Sequence, residues 1–238
     1  MIFLFFTFTY FVIAIIAIII HHTIEEFITY LNSFESFFDD RPKKEDRPKK
    51  IVFILDCPKY PSNIGTVLRY VVGIPFFVKN GLLYIICADY SRHFQKKCER
   101  IGMLEVNSKK DVAAQIIEWY PQVSSVLDRL RELGYFIVVV ETPDKKIHLP
   151  DESFYYTLDP KKENSISNFL SKHRGKKVAL IFGNEETGCS EKVIELLKNG
   201  HASLLSIDYD GIEYSYNLTS CVIMAMTTIL MSGYDNDA

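Results

Sequence analysis

The sequence predicts an α/β domain built on a mostly parallel sheet flanked by helices, and three observations predict it. Short, continuous apolar runs recur at residues 51–55, 82–87, 135–140, 178–182 and 204–207, the texture of strands buried on both faces. Helical periodicities lie between and after them, at residues 64–72, 112–119, 123–133, 165–172, 191–198 and 217–231, so strand and helix alternate. Three strand-to-helix junctions carry polar or glycine-bearing loops. In open parallel sheets, ligands gather beyond the carboxyl ends of the strands.

Composition sets the outer bounds. With 238 residues and 48% hydrophobic side chains, the chain is neither a disordered tail nor a small disulfide-stapled scaffold. The net charge of −3 excludes a globally basic nucleic-acid protein but not a local basic patch. It is also unevenly spread. Residues 1–40 carry five acids and no Lys or Arg, whereas residues 41–50 (RPKKEDRPKK) carry six basic residues and two acids. Three regions follow: a hydrophobic segment (1–20), a charged tether (21–50) and an α/β domain (51–238).

Residues 1–20 contain no charged side chain, and twenty helical residues span about 30 Å, the thickness of a bilayer's hydrocarbon core. A hydrophobic N-terminal helix acting as a membrane anchor is the expectation. A cleaved targeting segment, a buried helix and a start-site artefact remain the alternatives. The basic decamer lies C-terminal to the segment, which places the domain on the cytoplasmic side. The five cysteines are odd in number and form no Cys-x-x-Cys pair. A disulfide framework and a zinc site are therefore not expected, no metal is expected, and a reducing compartment fits.

The first junction is Pro61-Ser62-Asn63-Ile64-Gly65-Thr66-Val67-Leu68-Arg69. Ser62 or Asn63 can cap the helix, Gly65 permits close backbone approach, and Arg69 can hold a phosphate. A capped helix with a solvated arginine is the plainer reading. The second is Phe182-Gly183-Asn184-Glu185-Glu186-Thr187-Gly188-Cys189-Ser190, a glycine-bounded loop ahead of a helix that Ser190 can cap. Its glycines are spaced as in a P-loop, but Cys189-Ser190 stands where Lys-Ser/Thr is required, which argues against nucleotide hydrolysis. A polar-ligand loop and a hairpin-like connection with solvated acids both remain open. The third runs from Ile207 to Ser220, with Ser215 or Asn217 capping the last helix. Leu218, Val222, Ala225, Met226 and Ile229 give that helix one core-facing stripe.

In this order the three junctions resemble the SpoU/TrmH branch of the SPOUT superfamily of RNA ribose 2′-O-methyltransferases. Asn63, Gly65 and Arg69 match its Asn-x-Gly-x3-Arg motif. The strand ending in Gly183-Asn184-Glu185-Glu186-Thr187-Gly188 matches its Gly-x-Glu-x-x-Gly motif. Ile207-Asp208-Tyr209-Asp210-Gly211 and Ser215-Tyr216-Asn217 stand where it carries Ile-Pro-Met-x-Gly and Ser-Leu-Asn. Asp208-Tyr209 and Tyr216 depart from that third motif.

The resemblance implies a C-terminal deep trefoil knot, S-adenosylmethionine as cofactor, and a homodimer whose two subunits combine at the active site. It assigns catalytic parts to Asn63, Arg69, Glu185, Ser215 and Asn217. Ile181, Gly183, Gly188, Ile207, Tyr216 and Leu218 are implied around the cofactor. The implied substrate is RNA, tRNA more than rRNA. The basic run 161–177 offers Lys172, Arg174, Lys176 and Lys177 as phosphate contacts of salt-sensitive strength. The alternative is a catalytically inactive, membrane-tethered RNA-binding or dimerisation module of the same fold.

Overall fold

Ile51–Asp56 (β1) is apolar until its last residue, and all six positions are buried. Both faces of this strand are covered, so no polar alternation is needed. The computed structural model describes residues 49–87, 91–104, 107–141, 149–151, 154–159, 161–207 and 217–232. Around β1 assemble β2 (Gly81–Ile86), β3 (Ile117–Tyr120), β4 (Phe136–Val140), β5 (Tyr155–Thr157), β6 (Val178–Phe182) and β7 (Ser203–Ser206). Their order across the sheet is β3-β2-β1-β6-β4-β7-β5, and every neighbouring pair is parallel.

The helices are α1 (Pro61–Gly73), α2 (Pro75–Asn80), α3 (Arg92–Ile101), α4 (Asn107–Ile116), α5 (Ser124–Glu132), α6 (Ile166–Lys172), α7 (Glu191–Lys198) and α8 (Leu218–Met231). One face of the sheet, with Phe53, Leu55, Leu180 and Phe182, packs under apolar residues of α1, α6 and α8. The other face, with Val52, Ile54, Ala179 and Ile181, packs under α5 and α7. Full burial of Phe53 and Phe182 contributes roughly 2–3 kcal/mol each. The stripe expected on α8 is buried throughout: Leu218, Val222, Ala225, Met226 and Ile229.

Several local expectations are corrected. Residues 112–119 do not form one helix: α4 stops at Ile116, and residues 117–120 add a strand beside β2. Ile117 and Trp119 prefer that pleated position, where the Trp119 ring is buried. Helix α2 and strand β5 are too short to carry a clear periodic signal, and α3 is not among the expected helices. Strand β5 has three residues, and α3 shows mostly charge outside its two buried positions, Gln95 and Cys98. Neither Ser62 nor Asn63 caps α1. Tyr60 stands at the cap with Pro61 in the first turn, where a missing N–H costs nothing. Ser190 holds the cap position of α7 without a side-chain bond. At α8 the Asn217 Oδ1 does accept the Thr219 N–H, at 2.9 Å.

Because all strands run the same way, the sheet has two chemically distinct ends. The residues that directly follow β1, β4, β5, β6 and β7, namely Cys57, Glu141, Leu158, Gly183 and Ile207, stand at the carboxyl end. At the amino end lie the starts of the strands and the C-termini of the preceding helices. Five residues of β6 separate the two ends by roughly 16 Å. The hydrophobic segment 1–20 and the tether up to residue 48 lie outside the described residues. No helix among the described residues is long and apolar enough to cross a membrane.

Candidate functional site

The three junctions meet at the carboxyl end of the sheet through the side chain of Asn63. Its Nδ2 donates to Glu185 Oε1 at 2.6 Å, and its Oδ1 accepts from Asn217 Nδ2 at 3.2 Å. Residues 122 and 154 positions away in sequence are thereby joined. The amide can point only one way, because a carboxylate accepts and does not donate. Glu185 therefore sets the orientation of Asn63, which sets that of Asn217. A weaker contact runs from Thr219 Oγ1 to the Asn63 carbonyl, at 3.4 Å.

The second-junction loop is built tightly. Asn184 and Gly188 exchange backbone hydrogen bonds of 2.8 and 3.0 Å, so the loop is a small hairpin, as one of its two readings had it. Its acids are engaged with the chain after β1. The other Glu185 oxygen accepts the Lys59 backbone N–H at 2.9 Å. Glu186 accepts from Lys59 Nζ and Tyr60 Oη at 2.6 Å each, and these donors hold its carboxyl below the usual range. Inside the loop the Asn184 Oδ1 accepts the Glu186 N–H at 2.8 Å.

Gly183 has no room for a side chain: an added Cβ would lie 2.5 Å from the Cys189 nitrogen and from the Gly188 carbonyl carbon. Gly188 has φ +71, and its own Cβ would strike the Glu141 carboxylate at 2.6 Å. Gly65 serves packing instead of a ligand. A Cβ there would meet Ile101 at 2.6 Å and the Cys98 carbonyl at 2.8 Å, so it lets α1 and α3 approach closely.

Two acids the sequence reading passed over complete the floor. Asp56 ends β1, is fully buried, and accepts the Ser190 N–H at 2.7 Å. Glu141 follows β4 and accepts the Cys189 N–H at 2.9 Å. Both carboxylates thus grip backbone donors at the start of α7, where negative charge is favoured. Their signal in the sequence was a lone acid ending an apolar strand. Three buried polar atoms among the described residues have no hydrogen-bond partner: Asp56 Oδ1, Ser190 Oγ and Ser206 Oγ. Beside Asp56, Cys57 has φ +54, and burial, then Asp56, pushes its thiol up to about 11.

The remaining expected residues fall as follows. Arg69 is exposed on α1, six residues or about 9 Å along the helix axis from Asn63. Ile181 and Leu218 are core residues, so only their backbone groups can face a ligand. Ile207, half-buried, follows β7 at the carboxyl end. Ser215 and Tyr216 lie outside the described residues. The basic run 161–177 is divided by α6: Lys161 and Lys162 follow β5 at the carboxyl end, while Lys172, Arg174, Lys176 and Lys177 stand at the amino end before β6. Lys177 Nζ donates to the Leu133 carbonyl at 3.0 Å and lies 5.6 Å from the Tyr135 ring centre. No group of three metal-ligating side chains occurs among the described residues.

The sequence model of the SpoU rRNA Methylase family matches residues 50–227. The chain belongs to that family. Comparison with curated proteins gives no match. Among solved structures, it is similar to the SpoU methyltransferase AviRb of Streptomyces viridochromogenes, solved with AdoMet, with TM-score 0.52 and 15% identity over 81% of this chain and 64% of that one. It is similar to the AdoMet-bound rRNA methyltransferase of Sinorhizobium meliloti, with TM-score 0.51 and 19% identity over 80% of this chain and 60% of that one. A probable methyltransferase of Bordetella pertussis aligns with TM-score 0.51 and 15% identity, over 77% of this chain and 96% of that one. The chain spans less than two thirds of the first two of these proteins. At such identities the likeness is one of fold.

Proposed function

We propose that this chain is an S-adenosylmethionine-dependent RNA ribose 2′-O-methyltransferase, acting on tRNA in preference to rRNA. The observation that carries the reading is the Glu185–Asn63–Asn217 chain, which brings the three family motifs to one point at the carboxyl end of the sheet. The chemistry of this end suits the cofactor. Asp56, Glu141 and Glu185 make it acidic, which favours a cationic ligand, and three buried polar atoms near these loops lack partners. Gly183 and Gly188 keep the β6 loop narrow where a bound adenosine would need backbone contacts with residues 181–183, Ile207 and Leu218. Tyr216 and Ser215 complete the set by family analogy, within a C-terminal trefoil knot.

S-adenosylmethionine supplies, when bound, an electrophilic methyl group on a positively charged sulfur. Backbone groups of residues 181–183, Ile207 and Leu218 would hold it, and it would supply the methyl group that a ribose 2′-hydroxyl oxygen takes, with the hydroxyl proton passing to water. A guanidinium is a donor and not a base, so the part of Arg69 is to clamp the neighbouring phosphate and stabilise the developing alkoxide. Glu185 and Asn217 hold Asn63, and Asn63 in turn positions the RNA-facing turn of α1.

We place a second copy of the chain against α1 and α8, where Tyr70, Leu230 and Met231 are exposed. The membrane anchor at residues 1–20 belongs to the same reading. The test is calorimetric titration of the full-length protein with S-adenosylmethionine, followed by methyl transfer to bulk tRNA. Binding with transfer that Arg69→Ala abolishes is the expected result. Absence of binding at millimolar cofactor overturns the enzymatic reading and favours the inactive module.

A further inference from the structure

The tertiary structure joins two basic segments that the sequence keeps more than a hundred residues apart. β1 and β6 are neighbours, so the end of the tether and the end of the 161–177 run meet at the amino end of the sheet. The Val178 N–H donates to the Lys50 carbonyl at 2.9 Å, and Lys49 Nζ donates to the Lys79 carbonyl at 2.8 Å. Lys172, Arg174 and Lys176 are exposed beside them. Part of this charge has an internal use, since Lys79 and Lys172 sit in the last turns of α2 and α6, where cations oppose the helix dipole. That account does not extend to Lys49, Lys50, Arg174 and Lys176, which lie in connecting segments.

We propose that this basic end of the sheet is a docking face for the anionic phospholipid headgroups of a membrane surface. Three facts favour lipid over RNA. In the sequence, the decamer RPKKEDRPKK, whose net charge is +4, directly precedes β1 and follows an uncharged, apolar stretch of residues 1–20 in the same chain. The candidate site lies at the other end, roughly 16 Å away along β6, so the phosphate beside the nucleotide being modified is not held here. Clustered Lys and Arg near an apolar segment gain several-fold in membrane binding per charge at an anionic surface. The inference does not depend on methyl transfer.

The test follows the full-length chain as it distributes between vesicles of phosphatidylcholine and vesicles containing about 30 mol% phosphatidylglycerol. Apolar insertion alone favours neither population. At about 0.1 M salt the chain is expected to prefer the anionic vesicles by tenfold or more, and the preference should fall steeply as salt rises. Combined Lys172→Glu, Arg174→Glu and Lys176→Glu should reduce it about tenfold. Combined Lys161→Glu and Lys162→Glu, at the other end of the same segment, should leave it in place. Circular dichroism of each variant checks the fold. The proposal is overturned if no preference exists, or if the triple variant keeps it. It is equally overturned if the triple variant loses tRNA binding while its vesicle distribution is unchanged, which would make this an RNA surface.

Discussion

The two ends of the sheet are made from the same seven strands and obey different physics. At the carboxyl end, acids predominate and each of these commits at least one oxygen at short range: Asp56 to Ser190, Glu141 to Cys189, Glu185 to Asn63 and Lys59, Glu186 to Lys59 and Tyr60. At the amino end, bases predominate: Lys172, Arg174 and Lys176 are exposed, and Lys49 and Lys177 donate to backbone carbonyls. One end is specified by individual atoms, while the other is specified by summed charge. Function that needs a fixed geometry belongs to the first, and function that needs only attraction belongs to the second.

That contrast can be broken at its strongest point by Gly183→Ala. The new methyl group would press on backbone atoms of residues 188 and 189, which cannot rotate away. A loss of about 3 kcal/mol is expected in urea unfolding, together with loss of cofactor binding. Asn63→Asp comes next. It replaces the donor facing Glu185 with a second carboxylate, and about 2 kcal/mol of stability should be lost at neutral pH. If methyl transfer occurs, turnover should fall about a hundredfold with it. Substituting Asn63 without effect on either quantity would dissolve the claim that the three junctions act as one site.

The amino end should behave otherwise. Lys176→Ala is expected to change unfolding free energy by less than about 0.5 kcal/mol, although charge reversal in company with its neighbours alters binding. A smaller effect sharpens the comparison within the carboxyl end itself. Cys57 is exposed but its thiol is pushed up to about 11, so alkylation should be slow at neutral pH. Its rate should climb about tenfold per pH unit and level off near that value, because the thiolate is the reactive form. A plateau near the ordinary thiol range would mean that neither burial nor Asp56 acts on it. The least change is expected for Glu186→Gln. Its partners are exposed, and Tm should move by less than about 2 °C.

Much of this molecule was legible before its folding was known. Strand β6 and helix α7 fall at the residues the hydrophobic pattern indicates, and β1, β2, β4, β7 and α8 fall within a residue or two of theirs. A buried parallel strand or an amphipathic helix needs a local pattern, and local patterns can be read along the chain. Failures came where the local pattern was weak or where a neighbour decided. Residues 117–119 read as helix because Val112 and Ile116 precede them in helical register; β2 turned them into a strand by offering an unpaired edge. Asn63 read as a cap because asparagine commonly caps; Glu185, 122 positions away, gave its amide a better partner.

By itself the sequence determined the alternation of strands and helices, the identity of the three polar junctions and the existence of two basic runs. Each follows from residue type and spacing, which act over a few residues. Only the tertiary structure decided what those pieces face. It set Asp56 and Glu141 under the start of α7, closed the chain from Glu185 through Asn63 to Asn217, and assigned Gly65 to packing against α3. It divided one basic run between two ends of the sheet and joined half of it to the tether. The reason is the parallel sheet. With every strand running the same way, residues distant in sequence share an end whenever they share a strand terminus, and strand order is a property of the whole fold.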